Sequence, residues 1–218
     1  MKILIAGAGR LGGQAAHLLA ATGHQVTVID QDRGRLDELA GDHLHRVVHG
    51  DACEPRILEA SGVHNTELLL AATGEDEDNL VIALLAKRHF AVPRTLARVN
   101  DPDNGWLFDA RWGVDVALPE SAPLMSLIEE ATGVADTVGL FRLAAAGVSL
   151  IETHIDERSS AAGHSVGELQ LPSGTVVAAI VHGAQPVVPD LDSRFHPGDT
   201  VLVVTNTATE NDIHNAFQ

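Results

Sequence analysis

Residues 2–12 read Lys-Ile-Leu-Ile-Ala-Gly-Ala-Gly-Arg-Leu-Gly. The nearly unbroken apolar run Lys2–Ala6 is the pattern of a strand covered on both faces, and Gly7, Gly9 and Gly12 after it form G-x-G-x-x-G. Leu11, Ala15, Leu18, Leu19 and Thr22 recur at helical spacing until Gly23 stops the helix, and residues 25–29 (QVTVI) form a second strand ending at Asp30. The glycines therefore sit between a strand and a helix of one βαβ unit, with an acidic residue 18 positions after Gly12. In that setting they are a dinucleotide-binding fingerprint. Gly7 permits the tight turn, Gly9 lets the backbone approach a pyrophosphate, Gly12 lets helix pack on strand, and the helix N-terminus offers oriented amides. Arg10 is the phosphate partner. Asp30 is the acceptor for the adenosine ribose hydroxyls and repels the additional phosphate of NADP, which leaves NAD(H), ATP, ADP or AMP.

Working outward, the same alternation continues. Strands are expected at residues 45–49, 68–73, 95–99 and 114–118, and helices at 32–40, from Pro55 to Gly62, after Gly74, at 104–112 and from Ser121 to Gly133. Six strands complete a doubly wound, Rossmann-like parallel sheet. After about residue 135 the pattern becomes period-2 alternation and Val-rich runs with Gly and Pro punctuation, which predicts a small β-rich α+β domain. The expected division is residues 1–135 and 136–218.

Composition narrows the partners. Lys+Arg 14 against Asp+Glu 30 gives a net charge of −16, a sign that repels phosphate backbones, so nucleic acid is not an expected partner. No apolar run exceeds the seven residues 80–86, far short of the roughly 20 that a membrane helix needs, and the N-terminus has no basic leader, so a cytoplasmic protein is expected. The only cysteine, Cys53, is read as a small half-buried residue, not a thiol nucleophile. His43, His45 and His49 share a strand parity but lack zinc-site spacing and are read as surface residues. The acidic run at 75–78 is read as the favourable first turn of a helix. Trp106, Phe108 and Trp112 crowd seven residues of the expected fifth helix, where an exposed aromatic patch would mark a homodimer interface. Glu120 follows the sixth strand, at the sheet edge where ligands bind.

Further motifs carry a resemblance: Gly50-Asp51-Ala52, Ala72-Thr73-Gly74 with Asn79, Arg98 with Asn100-Asp101-Pro102, and Pro119-Glu120, then residues 169–172, 177–181 and 187–189 and Gly198-Asp199 near the end. With the glycines and Asp30, these make the whole chain similar to the regulatory subunits of Trk and Ktr potassium-uptake systems, which join an RCK N-terminal to an RCK C-terminal domain. The resemblance implies a non-enzymatic, nucleotide-sensing gating subunit. It would bind NAD(H) or ATP/ADP and form dimers and larger rings on the cytoplasmic face of a TrkH- or KtrB-like membrane potassium-translocating subunit. It implies a ligand held by Gly7, Gly9, Arg10, Leu11, Gly12, Asp30, Asp51, Ala52, Thr73, Gly74, Arg98 and Glu120, with Glu120 near the phosphates and a divalent cation. Cys53 replaces the usual Thr or Ser after Gly-Asp-Ala, and His182 stands where many such C-terminal domains have Arg. The alternatives are a small NAD-dependent oxidoreductase and the regulator of a different cation transporter.

Overall fold

The computed structural model describes residues 1–41, 46–133, 135–143 and 147–218, and it falls into two units, Met1–Ser121 and Ala122–Gln218. This division lies earlier in the chain than the one expected after residue 135.

The first unit runs β1 (Lys2–Ala6), α1 (Arg10–Ala21), β2 (Gln25–Asp30), α2 (Arg33–Ala40), β3 (Arg46–His49), α3 (Pro55–Ala60), β4 (Leu68–Ala71), α4 (Asp76–Leu84), β5 (Arg94–Val99) and β6 (Val116–Pro119). All six strands pair in parallel in the order β3-β2-β1-β4-β5-β6, the doubly wound order in which ligands bind where the winding reverses, beyond the carboxyl ends of β1 and β4. The alternation along β1 explains its unbroken apolarity. Ile3 and Ile5 join a core with Ala16 of α1 and Leu36 and Leu39 of α2, whereas Leu4 and Ala6 join a second core with Leu58 of α3 and Leu80 and Ala83 of α4. Both sheet faces are thus covered.

The turn after β1 depends on Gly12. A Cβ there would lie 1.9 Å from the Gly7 carbonyl oxygen, so the first turn of α1 can close on the strand end only without a side chain. At Gly9 a Cβ would meet nothing within 4 Å.

Two buried polar side chains of α4 fix the neighbouring strand ends. Asn79, fully buried, accepts from the Thr73 amide (2.9 Å) and hydroxyl (2.8 Å) and donates to the carbonyls of Thr73 (3.3 Å) and Arg98 (3.1 Å). Asp76, also buried, accepts from the amides of Asn100 (2.7 Å) and Asp101 (3.0 Å) and from the side chains of Asn100 (3.0 Å) and Asn104 (2.8 Å). Burial alone would raise its pKa, but these hydrogen bonds, led by the Asn100 amide, outweigh it and hold the carboxyl below the usual range. The acidic run at 75–78 is therefore only partly the solvated helix start that the sequence suggests, because one of its members is a structural anchor.

Residues 104–112 are not a helix. They form two 3-10 turns, Pro102–Leu107 and Ala110–Trp112, begun where the side chains of Asp101 and Asp109 accept from the amides of Asp103 and Arg111. The aromatic patch expected there dissolves: Phe108 is buried, Trp112 packs partly against the core, and Trp106 alone of the three is exposed. Of the three histidines weighed as ligands, His43 and His45 lie outside the described residues, and His49 is exposed beside the Gln31 carbonyl.

The second unit runs α5 (Ala122–Thr132), β7 (Thr137–Leu143), β8 (Val148–His154), β9 (Thr175–His182), β10 (Gln185–Val187), β11 (Thr200–Thr205) and α6 (Glu210–Phe217). Its antiparallel sheet has the order β10-β9-β11-β8-β7. One edge strand, β10, contains Pro186, and the other, β7, shifts register between Gly139 and Phe141. Ile151, Val201 and Val203 of the sheet pack with Phe195 and with Ile213 and Phe217 of α6.

Two outcomes follow from the packing. Gly12→Ala should destabilise the protein by about 3 kcal/mol or more, at or beyond the usual cost of overpacking because backbone must yield, whereas Gly9→Ala should leave the melting temperature within a degree or two. Asp76→Asn should cost about 1–3 kcal/mol near neutral pH. A carboxyl whose folded-state pKa is depressed contributes in full above its unfolded value, near the ordinary 3.8, and loses that contribution as pH falls through the folded value. The gap between wild type and Asp76→Asn in chemical denaturation should accordingly narrow below about pH 4.

Candidate functional site

At the carboxyl ends of β1, β2, β3 and β4 lies an open cleft of about 470 Å³. Main-chain bonds tie its floor together: the Gly7 amide donates to Ile29 (2.8 Å), the Gly50 amide to Asp30 (3.0 Å), and the Ala72 amide to Ala6 (2.7 Å). Of the residues expected around a ligand, Gly7, Gly9, Arg10, Asp30, Asp51, Ala52, Thr73, Gly74 and Arg98 line this cleft.

Asp30 ends β2 with its carboxylate fixed from two sides. Oδ2 accepts the Ala8 amide (2.5 Å) and Oδ1 the Asp32 amide (2.7 Å). A carboxylate oxygen has a second lone pair, so both oxygens keep capacity for a vicinal diol. Beside it, α1 begins at Gly9 with no side-chain cap, leaving the first amides of the helix facing the glycine turn. Arg10 is exposed at that helix start.

The other wall is more acidic than expected. Asp51 forms a turn by accepting the Cys53 amide (2.8 Å), and Glu75 and Asp78 also line the cleft. Burial, then the charges of Asp78 and Asp51, push the Cys53 thiol up to about 12. It therefore stays protonated at neutral pH, in keeping with the structural role read from sequence. Arg98, mostly buried, bonds Glu120, while its Nε is buried without a partner.

Three expected residues lie outside the cleft wall. Leu11 of α1 is partly buried against the core, Gly12 serves the packing described above, and Glu120 is held by Arg98. Conversely, Ile29, Gln31, Arg35, Gly50 and Ala72 line the cleft without having been singled out as contacts. Arg35 has a sequence signal in retrospect, being a cation in the first turn of the helix after the acidic strand end. It pairs with exposed Asp32 at 3.6 Å.

The groups present fit an anionic adenine nucleotide: a diol acceptor at Asp30, uncapped helix amides next to a glycine with open space in front of it, and an unpartnered Arg98 Nε.

Comparison with known proteins agrees with this architecture. Residues 3–119 match the TrkA-N domain and residues 150–218 the TrkA-C domain. The Trk system potassium uptake protein TrkA of Mycobacterium tuberculosis is 39% identical over 213 residues, covering 98% of this chain and 96% of that protein. The TrkA homologue of Archaeoglobus fulgidus is 31% identical and covers 95% of this chain, which spans 48% of that longer protein. Among solved structures, the GsuK channel bound to NAD shares the fold across 99% of this chain and 39% of its own length, with a TM-score of 0.58 at 15% identity. The Kef C-terminal domain of Shewanella denitrificans in its AMP-bound form covers 67% of this chain and 86% of that domain, with a TM-score of 0.54 at 26% identity. With both halves matched in order and a relative 39% identical along nearly its full length, the chain belongs to the TrkA family of Trk-system potassium uptake proteins.

Proposed function

We propose that this chain is a nucleotide-sensing regulatory subunit that binds NAD(H) or ATP/ADP in the cleft and gates a TrkH- or KtrB-like potassium-translocating subunit from the cytoplasmic side of the membrane. The observation that carries the ligand assignment is Asp30, whose carboxylate two backbone amides fix beside the uncapped start of α1. The gating role rests on membership of the TrkA family. That the GsuK channel was solved with NAD and the Kef domain with AMP supports an adenine nucleotide as ligand. Among the described residues no helix is long and apolar enough to cross a membrane, so attachment to the membrane falls to the partner. Self-association as a dimer and a larger ring is supported by Leu124, Met125, Leu127 and Ile128, all at least half exposed on α5.

In this reading the adenosine diol bonds Asp30, the phosphates lie over Gly9 against the α1 amides and Arg10, and Arg98 stands at the far wall. The ligand is sensed, not consumed. Glu120 reaches it through Arg98, the cation that a phosphate chain and this carboxylate would share, and a divalent ion near Glu120 would relieve their repulsion. Nucleotides of different charge and length therefore place different demands on the Arg98–Glu120 pair, which is the differential interaction a switch requires.

Calorimetry on the full chain tests the ligand assignment. Asp30→Ala should weaken NADH and ATP by about 1–3 kcal/mol, and NADP should bind the wild-type protein much less tightly than NAD. Equal affinities for NADP and NAD would remove the role given to Asp30, and steady oxidation of NADH would replace sensing with catalysis. Glu120→Gln removes the competitor for Arg98. Without divalent ions it should tighten ATP by about twofold to fivefold, the 0.5–1 kcal/mol of a partly exposed ion pair, and tighten ADP less.

A further inference from the structure

Far along the chain from the cleft residues, the second unit brings two histidines and an aspartate together. His182 ends β9 and Asp199 immediately precedes β11, and because these strands pair antiparallel, with Thr200 opposite Val181, residues 17 positions apart meet at one end of the sheet. His196 reaches the same point through the turn His196-Pro197-Gly198-Asp199. Its Asp199 amide bonds the His196 carbonyl at 3.0 Å, and Gly198 has φ +93°, the conformation that Pro-Gly favours at the centre of a type II turn.

The carboxylate is set before any ligand arrives. Asp199 is 1% exposed, its Oδ2 accepts the His196 amide at 2.8 Å, and its own carbonyl accepts the Ile155 amide at 2.9 Å. His182 Nδ1 lies 2.5 Å from Oδ1, and His196 Nδ1 lies 3.7 Å from Oδ2. Both imidazoles are more than 60% exposed and meet edge to face with centroids 5.5 Å apart. One ligand atom from each of the three residues lies within 4.8 Å of the others, and among the described residues this is the one such grouping of His, Cys and acidic side chains.

We infer that His182, His196 and Asp199 form a binding site for a divalent cation of the zinc class. Two imidazoles and one carboxylate are the donors such ions favour, whereas magnesium and calcium prefer oxygen alone. Ligands about 2 Å from a tetrahedral zinc are roughly 3.3 Å apart. The His196–Asp199 separation is already close to that, and both exposed rings are free to turn toward it, His182 by leaving its hydrogen bond. Coordination through Nδ1 leaves the imidazole hydrogen of His182 on Nε2, so the ion takes the place of the His182–Asp199 hydrogen bond. Three protein ligands leave the fourth position to water or to a donor from outside the chain. A simple staple of the sheet end by the His182–Asp199 hydrogen bond would need neither His196 at the same point nor a free face on both rings.

The experiment is titration of the full chain with zinc chloride by calorimetry, alongside His182→Gln and His196→Gln, whose exposed side chains can change without disturbing the core. Wild type should bind one zinc per chain in excess of any held by other histidines. Each variant should weaken that event at least tenfold, and magnesium and calcium should give no matching heat. The staple alone would appear as a melting temperature lowered in His182→Gln, unchanged in His196→Gln, and indifferent to zinc. That pattern, no zinc binding by wild type, or zinc binding by either variant as tight as that of the wild type would overturn the inference. NADH affinity, measured on the same samples, should be unchanged in both variants, so the outcome stands apart from that of the nucleotide reading.

Discussion

The carboxyl edge of a parallel sheet is where a strand's main chain runs out of partners, and in the first unit two buried side chains of α4 answer that need. Asn79 is satisfied at both its oxygen and its nitrogen only if the amide faces Thr73 with its oxygen and the Arg98 carbonyl with its nitrogen, so its four bonds fix the ends of β4 and β5 in one arrangement. Asp76 does the same for the segment after β5 through four donors. Thr73, Gly74 and Arg98 form one wall of the cleft because this polar pair holds them, while the opposing wall is held by packing at Gly12 and by the bonds from β1 to β2 and β4. Fully satisfied buried polar groups of this kind specify a geometry more sharply than apolar contacts can.

The two walls also differ in electrostatic character. On the glycine side are helix amides, Arg10 and Arg35; on the other, Asp51, Glu75 and Asp78 line the cleft together with the mostly buried Arg98. A ligand whose phosphates stay on the glycine side meets attraction. One with a longer anionic chain meets carboxylates unless a cation or Arg98 intervenes. The lining of the cleft is therefore of mixed charge, and in the reading proposed above that mixture would distinguish ligands by phosphate number.

What the sequence made legible was what repeats or what chemistry forces. β1 could be read to the residue because both faces are buried, and Asp30 because the fingerprint places an acid at the next strand end. The region 104–112 could not be read by apolar spacing, since the side chains of Asp101 and Asp109 compete for backbone amides and start short turns that a helix periodicity does not register. Asp76 looked like any acid in a first helical turn, because burial is a tertiary fact. The pairing of Arg98 with Glu120 follows from β5 and β6 being neighbours, with Val99 opposite Pro119, and no local pattern reveals it. That His182 meets Asp199 is invisible for the same reason, the two being joined only by the register of β9 on β11.

The edges of the second sheet have a consequence for how chains meet. Pro186 in β10 has no amide hydrogen to give to an added strand, and the displaced register in β7 breaks the even row of main-chain groups at the other margin. Both devices blunt a sheet against end-to-end extension. In the assembly proposed above, copies of the chain would thereby be kept from polymerising into fibrils through their own backbone, and their contacts would be left to side chains, which can close a ring and stop.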